Sequence, residues 1–147
     1  MNNSIWTKLE EYFKKYPQDM AQSTTLDDIA KAEKILGVKF HEAYKEFLEK
    51  YGGACIGSKL LYGLEKQKDM GEKLSTVINV TNFYRNQPWP GIDDWYIVSD
   101  DFDGNPIGIN PDGSVWFSDH DAGFEQIKLA DNFEEFIHKL LTNTLYE

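Results

Sequence analysis

Residues able to do covalent or acid–base chemistry are few in this chain and lie far apart. The run Ser118-Asp119-His120-Asp121 contains the three residue types of a serine hydrolase triad. A triad, however, is assembled in space from separated chain positions, and no Gly-x-Ser-x-Gly elbow is present to expose a nucleophile. The run therefore reads first as a polar strand end, and a small hydrolase using His120 stands as an alternative. Cys55 lies among glycines in Gly53-Ala54-Cys55-Ile56-Gly57. With no basic neighbour to favour its thiolate, it reads as a small buried residue. The three histidines, His41, His120 and His138, offer no zinc spacing with it.

Asp101-Phe102-Asp103-Gly104-Asn105 opens like a calcium loop. An EF-hand needs glycine at the sixth position and a bidentate Glu at the twelfth, where this chain has Pro106 and Asp112. An Asp-Gly turn accounts for the same residues without a metal. No phosphate-cradling Gly-x-x-x-x-Gly-Lys loop occurs either. The expectation is a protein with no catalytic residues, no cofactor and no metal.

Charge is more informative. The 147 residues carry 25 acids and 15 bases, a net charge of −10. Residues 1–85 are nearly neutral at +1, the last twenty contribute −2, and residues 86–127 contribute −9 with no Lys or Arg at all. That segment also holds three of the four tryptophans, Trp89, Trp95 and Trp116. An acidic surface with interleaved aromatics suits a basic protein partner, because complementary charge speeds encounter while Trp supplies buried contact. The candidate binding residues are Asp93, Asp94, Asp100, Asp101, Asp103, Asp112, Asp119 and Asp121, with the three tryptophans as anchors. Turn chemistry also favours Asp, so a merely solvated sheet explains the same count.

The same balance argues against nucleic acid, which needs a basic face to displace counterions. A single cysteine rules out an intramolecular disulfide. The opening residues lack the basic and apolar runs of a secretion signal, and no uncharged apolar run is long enough to span a bilayer. A reducing, cytoplasmic location is the expectation.

The elements that must position these residues can be read from periodicity. Ile5, Leu9, Tyr12, Phe13 and Tyr16 make a helical stripe stopped by Pro17; Thr25 caps a second helix that Gly37 closes; a third runs from about His41 to Lys50 and ends at Gly52-Gly53. Leu60–Leu64 reads as a strand and Leu74–Arg85 as a helix. Trp95–Ser99, Ile107–Ile109 and Ser114–Phe117 read as strands of a meander joined at Asp103-Gly104 and Asp112-Gly113, and Asp131–Leu141 as a closing helix capped by Asp131 or Asn132. The fold class is α+β. We expect a single domain over residues 1–147, with a mostly antiparallel sheet and the N-terminal and C-terminal helices packed on it.

Ordered motifs from residue 25 to 141 sharpen this. Ile29…Ala32-Glu33…Leu36-Gly37-Val38-Lys39-Phe40…Tyr44…Phe47-Leu48…Tyr51-Gly52-Gly53, then Tyr96-Ile97-Val98…Asp101…Asp103-Gly104-Asn105-Pro106-Ile107, Gly113-Ser114-Val115-Trp116, Asp119-His120 and Ala130-Asp131-Asn132-Phe133 resemble the SUKH superfamily of Smi/Knr-like domains. His41 departs from it, since the family usually has proline there. The resemblance implies an immunity protein that binds and neutralises the toxic domain, often a nuclease, of a toxin delivered between competing bacterial cells. The alternative it implies is a regulatory scaffold such as the fungal relatives. It carries over no catalytic residues.

Overall fold

The computed structural model describes residues 3–65 and 76–146. Helix α1 (Asn3–Lys15) buries Ile5, Leu9 and Phe13 at steps of four, and Pro17 opens a short 3-10 turn just beyond it. Helix α2 (Leu26–Leu36) is capped by Thr25, whose hydroxyl accepts the N–H of Asp28 at 3.1 Å, and closes on Gly37 at φ +67°. Helix α3 (Glu42–Tyr51) turns Tyr44, Phe47 and Leu48 fully inward and ends on Gly52 at φ +70°. At Gly52 an added Cβ would lie 1.7 Å from the carbonyl oxygen of Gln22, so the chain passes here only with glycine.

Strands β1 (Ala54–Ile56) and β2 (Lys59–Leu61) form a hairpin, of which the apolar pattern announces only β2. Just beyond β2, the Tyr62 N–H donates to Val98 of the main sheet at 2.7 Å. Helix α4 (Val77–Arg85) begins at Thr76, whose hydroxyl caps the N–H of Asn79; Leu74, where the sequence pattern starts this helix, lies outside the described residues.

The main sheet is antiparallel, in the order β3 (Tyr96–Asp100), β4 (Pro106–Ile109), β5 (Val115–Asp119), β6 (Glu125–Ala130). The three expected strands are present within a residue or two. Pro106 heads β4, a place where its missing N–H is tolerated. The fourth strand, β6, lies outside the three expected ones: it is at the sheet edge, its first residues are largely solvated, and its apolar alternation is confined to Ile127 and Leu129. Helix α5 (Phe133–Thr142) follows, and of its two candidate caps Asn132 does the capping, its side chain accepting the N–H of Glu135 at 2.8 Å.

Sheet and helices meet in an aromatic centre. The Tyr44 ring lies 5.2 Å from Tyr96 and 5.3 Å from Phe133, and its hydroxyl donates to the carbonyl of Tyr62 at 2.6 Å. Burial of these rings, each worth several kcal/mol, ties α3, β3 and α5 together. The class is α+β, with one such core.

Candidate partner-binding site

Antiparallel pairing sends the acids of residues 86–127 to two ends of the sheet rather than onto one face. Asp100 pairs with Pro106 and Asp119 with Glu125, so the β3–β4 turn and the segment joining β5 to β6 share one end, called here the upper end. It gathers Asp100, Asp101, Asp103, Asp119, Asp121 and Glu125. Asp93 and Asp94, ahead of β3, and Asp112, in the β4–β5 turn, belong to the lower end, one strand length away, roughly 13–17 Å.

Turn chemistry shapes the upper end. Oδ1 of Asp101 accepts the N–H groups of Asp103 at 3.0 Å and Asn105 at 2.8 Å, and its Oδ2 accepts from the Asn105 side chain at 2.9 Å. Asn105, 2 % exposed, extends this to the next loop: its Oδ1 accepts the backbone N–H of His120 at 3.0 Å and also contacts His120 Nδ1. Asp119 in turn accepts the N–H of Asp121 at 3.0 Å, and Asp121 lies 3.3 Å from His120 Nε2. Asp112 does similar work at the lower end, accepting the Ser114 hydroxyl at 2.6 Å, which holds its carboxyl below the usual range. Asp101, Asp112 and Asp119 are therefore turn formers first. Asp93, Asp94, Asp103 and Asp121 are exposed.

Asp100 differs because it is half-buried. Burial pushes its carboxyl up, against the Tyr62 hydroxyl that donates to it at 3.1 Å and the nearby Lys59 charge.

The tryptophans separate. Trp95 is a correction to the expected anchors: it is 3 % exposed, packed against Gly108, where an added Cβ would lie 2.8 Å from its ring, and no partner can reach it without unfolding the sheet. Trp116 is half-buried, its Nε1 donating to Ser114 at 2.7 Å. Trp89 is half-buried at the upper end, edge-on to Tyr84, His120 and Phe124, with Nε1 donating to Ser118 at 2.8 Å.

That last bond bears on the hydrolase alternative. The buried Ser118 hydroxyl accepts from Trp89 and donates to Phe124, while His120 is engaged by Asn105 and Asp121, so Ser118 and His120 do not form a nucleophile–base pair. Asp119, His120 and Asp121 bring possible ligand atoms within 4.8 Å of one another, but two of the three already close the loop by the bonds just described. Burial pushes the Cys55 thiol up, the direction opposite to activation.

Three residues that the sequence does not single out complete the upper end. Phe102, between Asp101 and Asp103, is 84 % exposed, and Tyr146 is 58 % exposed. Between them lies the Lys59 amine, 4.9 Å from the centre of the Phe102 ring and 5.5 Å from that of Tyr146, within hydrogen-bond reach of the Asp100 carbonyl and Tyr146 hydroxyl at 3.3 Å each. Phe102 alone leaves a trace in the sequence, as a large aromatic inside an Asp-rich turn with no strand pattern to bury it.

No helix among the described residues is long and apolar enough to cross a membrane. The model of the SMI1 / KNR4 family (SUKH-1) matches residues 23–139. No curated protein matches the chain.

Proposed function

Since the chain belongs to the SMI1 / KNR4 family (SUKH-1), we propose that it is an immunity protein that works by stoichiometric binding, neutralising a toxin domain with a basic surface, such as a nuclease, in the cytoplasm. One observation carries this reading. Six acids gather at the end of the sheet that also carries Phe102, a ring 84 % exposed, with no Lys or Arg between residues 86 and 127.

A nuclease concentrates cations where it holds phosphate, and an acidic surface offers those cations an alternative partner. Charge supplies the encounter and the exposed ring supplies desolvated contact. Trp89, half-buried against His120 and Phe124, is the candidate tryptophan anchor at this end, and no covalent step is required.

Co-expression with the toxic domain encoded beside its gene tests the reading. Protection of the cells together with co-purification of the two proteins is expected. Persistent toxicity with no complex overturns it, and the absence of any such neighbouring gene favours a regulatory scaffold instead.

A further inference from the structure

Resting on that binding role, we propose that the groove between Phe102 and Tyr146 is a socket for one uncharged apolar side chain, carried on a partner segment whose flanking residues are basic. The groove has a volume of about 340 Å³ and is floored by Ile56, Leu140 and Leu145, room enough for a branched or aromatic side chain. Phe102 forms one wall. The turn that carries it is closed by Asp101 and Asn105, so its conformation does not depend on the ring, which stands in water at the mouth of an apolar recess.

Lys59 decides what can enter. Its amine is fixed inside the groove, bonded to the Asp100 carbonyl and Tyr146 hydroxyl, and it already occupies the cation–π positions of both rings. An incoming lysine or arginine would meet that charge, whereas an aliphatic or aromatic side chain meets carbon. Outside the groove the sign reverses: Asp101 and Asp103 flank Phe102. Burial and these two carboxylates push the Tyr146 phenol up to about 12, so their field reaches the groove wall. Cations beside the inserted residue therefore meet Asp101 and Asp103 at the Phe102 wall, while inside the groove Lys59 and a second amine, Lys139, held by Glu135 at 3.4 Å and the Leu129 carbonyl at 2.6 Å, turn a cation away.

Short peptides test this with the full chain. The probes are a peptide of leucine flanked on both sides by lysines, the same peptide with alanine for leucine, and the leucine peptide with glutamates for lysines, each titrated while the amide NMR shifts are followed. The lysine-flanked leucine peptide is expected to shift Phe102, Tyr146 and Leu145 and to bind about tenfold tighter than the alanine peptide. The glutamate peptide should not bind. Phe102→Ala, a change at an exposed position, should erase the leucine preference, and Tyr146→Ala should weaken it. Equal affinity for leucine and alanine, shifts elsewhere on the molecule, or a preference that survives Phe102→Ala overturns the socket. These readouts need no toxin. If the chain fails to protect cells but the peptides discriminate as described, the immunity reading falls and the socket stands; if the chain protects and the peptides do not discriminate, the reverse holds.

Discussion

The phenol oxygen of Tyr96 lies 3.0 Å from the backbone nitrogen of His41 and 2.8 Å from its ring Nδ1, while Nε2 of that ring lies 3.0 Å from the carbonyl oxygen of Pro111. A carbonyl only accepts, so the bonding pattern assigns the proton to Nε2. Tyr96 then donates to Nδ1 and accepts the backbone N–H. One histidine thus ties the start of α3 to β3 and to the β4–β5 turn. A proline at this position could make neither of these side-chain bonds.

His41→Pro should therefore destabilise the protein although the backbone already suits it, with φ at −76°. The Tyr96 hydroxyl, in a residue 1 % exposed, would lose both partners, at a cost of about 1–3 kcal/mol. The urea midpoint should fall with an unchanged slope. An unchanged midpoint would show that the network carries no net stability.

Asp101→Ala removes the acceptor of two backbone N–H groups and of the Asn105 amide. A loss of about 1–2 kcal/mol is expected, together with faster hydrogen exchange at Asp103 and Asn105. Exchange rates equal to wild type would mean that the turn holds without the carboxylate.

Asp100→Asn should stabilise the protein at neutral pH. The Asp100 carboxyl is raised by burial, so its ionisation is less favourable folded than unfolded; that cost is present at pH 7 and disappears as the pH falls through the folded value. The amide oxygen of Asn can still accept from Tyr62. Urea midpoints should differ most near pH 7 and converge as the pH approaches about 4. A gap that widens in acid would reverse the sign of the argument.

Charge reversal should separate the two ends of the sheet. Asp103→Lys with Asp121→Lys alters exposed acids at the upper end and spares the turn-forming Asp101 and Asp119. Association with the proposed toxin partner should slow by about tenfold at low salt and lose much of its salt dependence. Asp93→Lys with Asp94→Lys, at the lower end, should leave the rate nearly unchanged. Equal effects at both ends would indicate diffuse attraction rather than docking at the upper end.

Much of this fold is legible in the residues, because α1, α2, α3 and α5 each carry an apolar stripe and a stop or cap that needs no tertiary information. Strands β1 and β6 are not. Ala54–Ile56 is too short and glycine-bounded to show a period, and in Glu125–Ala130, at an edge, the alternation reduces to Ile127 and Leu129, too brief to announce a strand. The acidic segment is visible as a count, but its division between two ends depends on pairings such as Asp119 with Glu125, which counting cannot supply. Trp95 misleads for a related reason, since it lies one residue ahead of β3 and packs into the space that Gly108 leaves on the neighbouring strand.

Asn105 has a consequence for timing. One buried amide grips Asp101 with its nitrogen and the His120 backbone with its oxygen, so the two acidic loops cannot move independently. The conformational entropy of arranging their charges is lost when the chain folds, not when a partner arrives. Complex formation should accordingly proceed in a single bimolecular phase, without a slow rearrangement after contact.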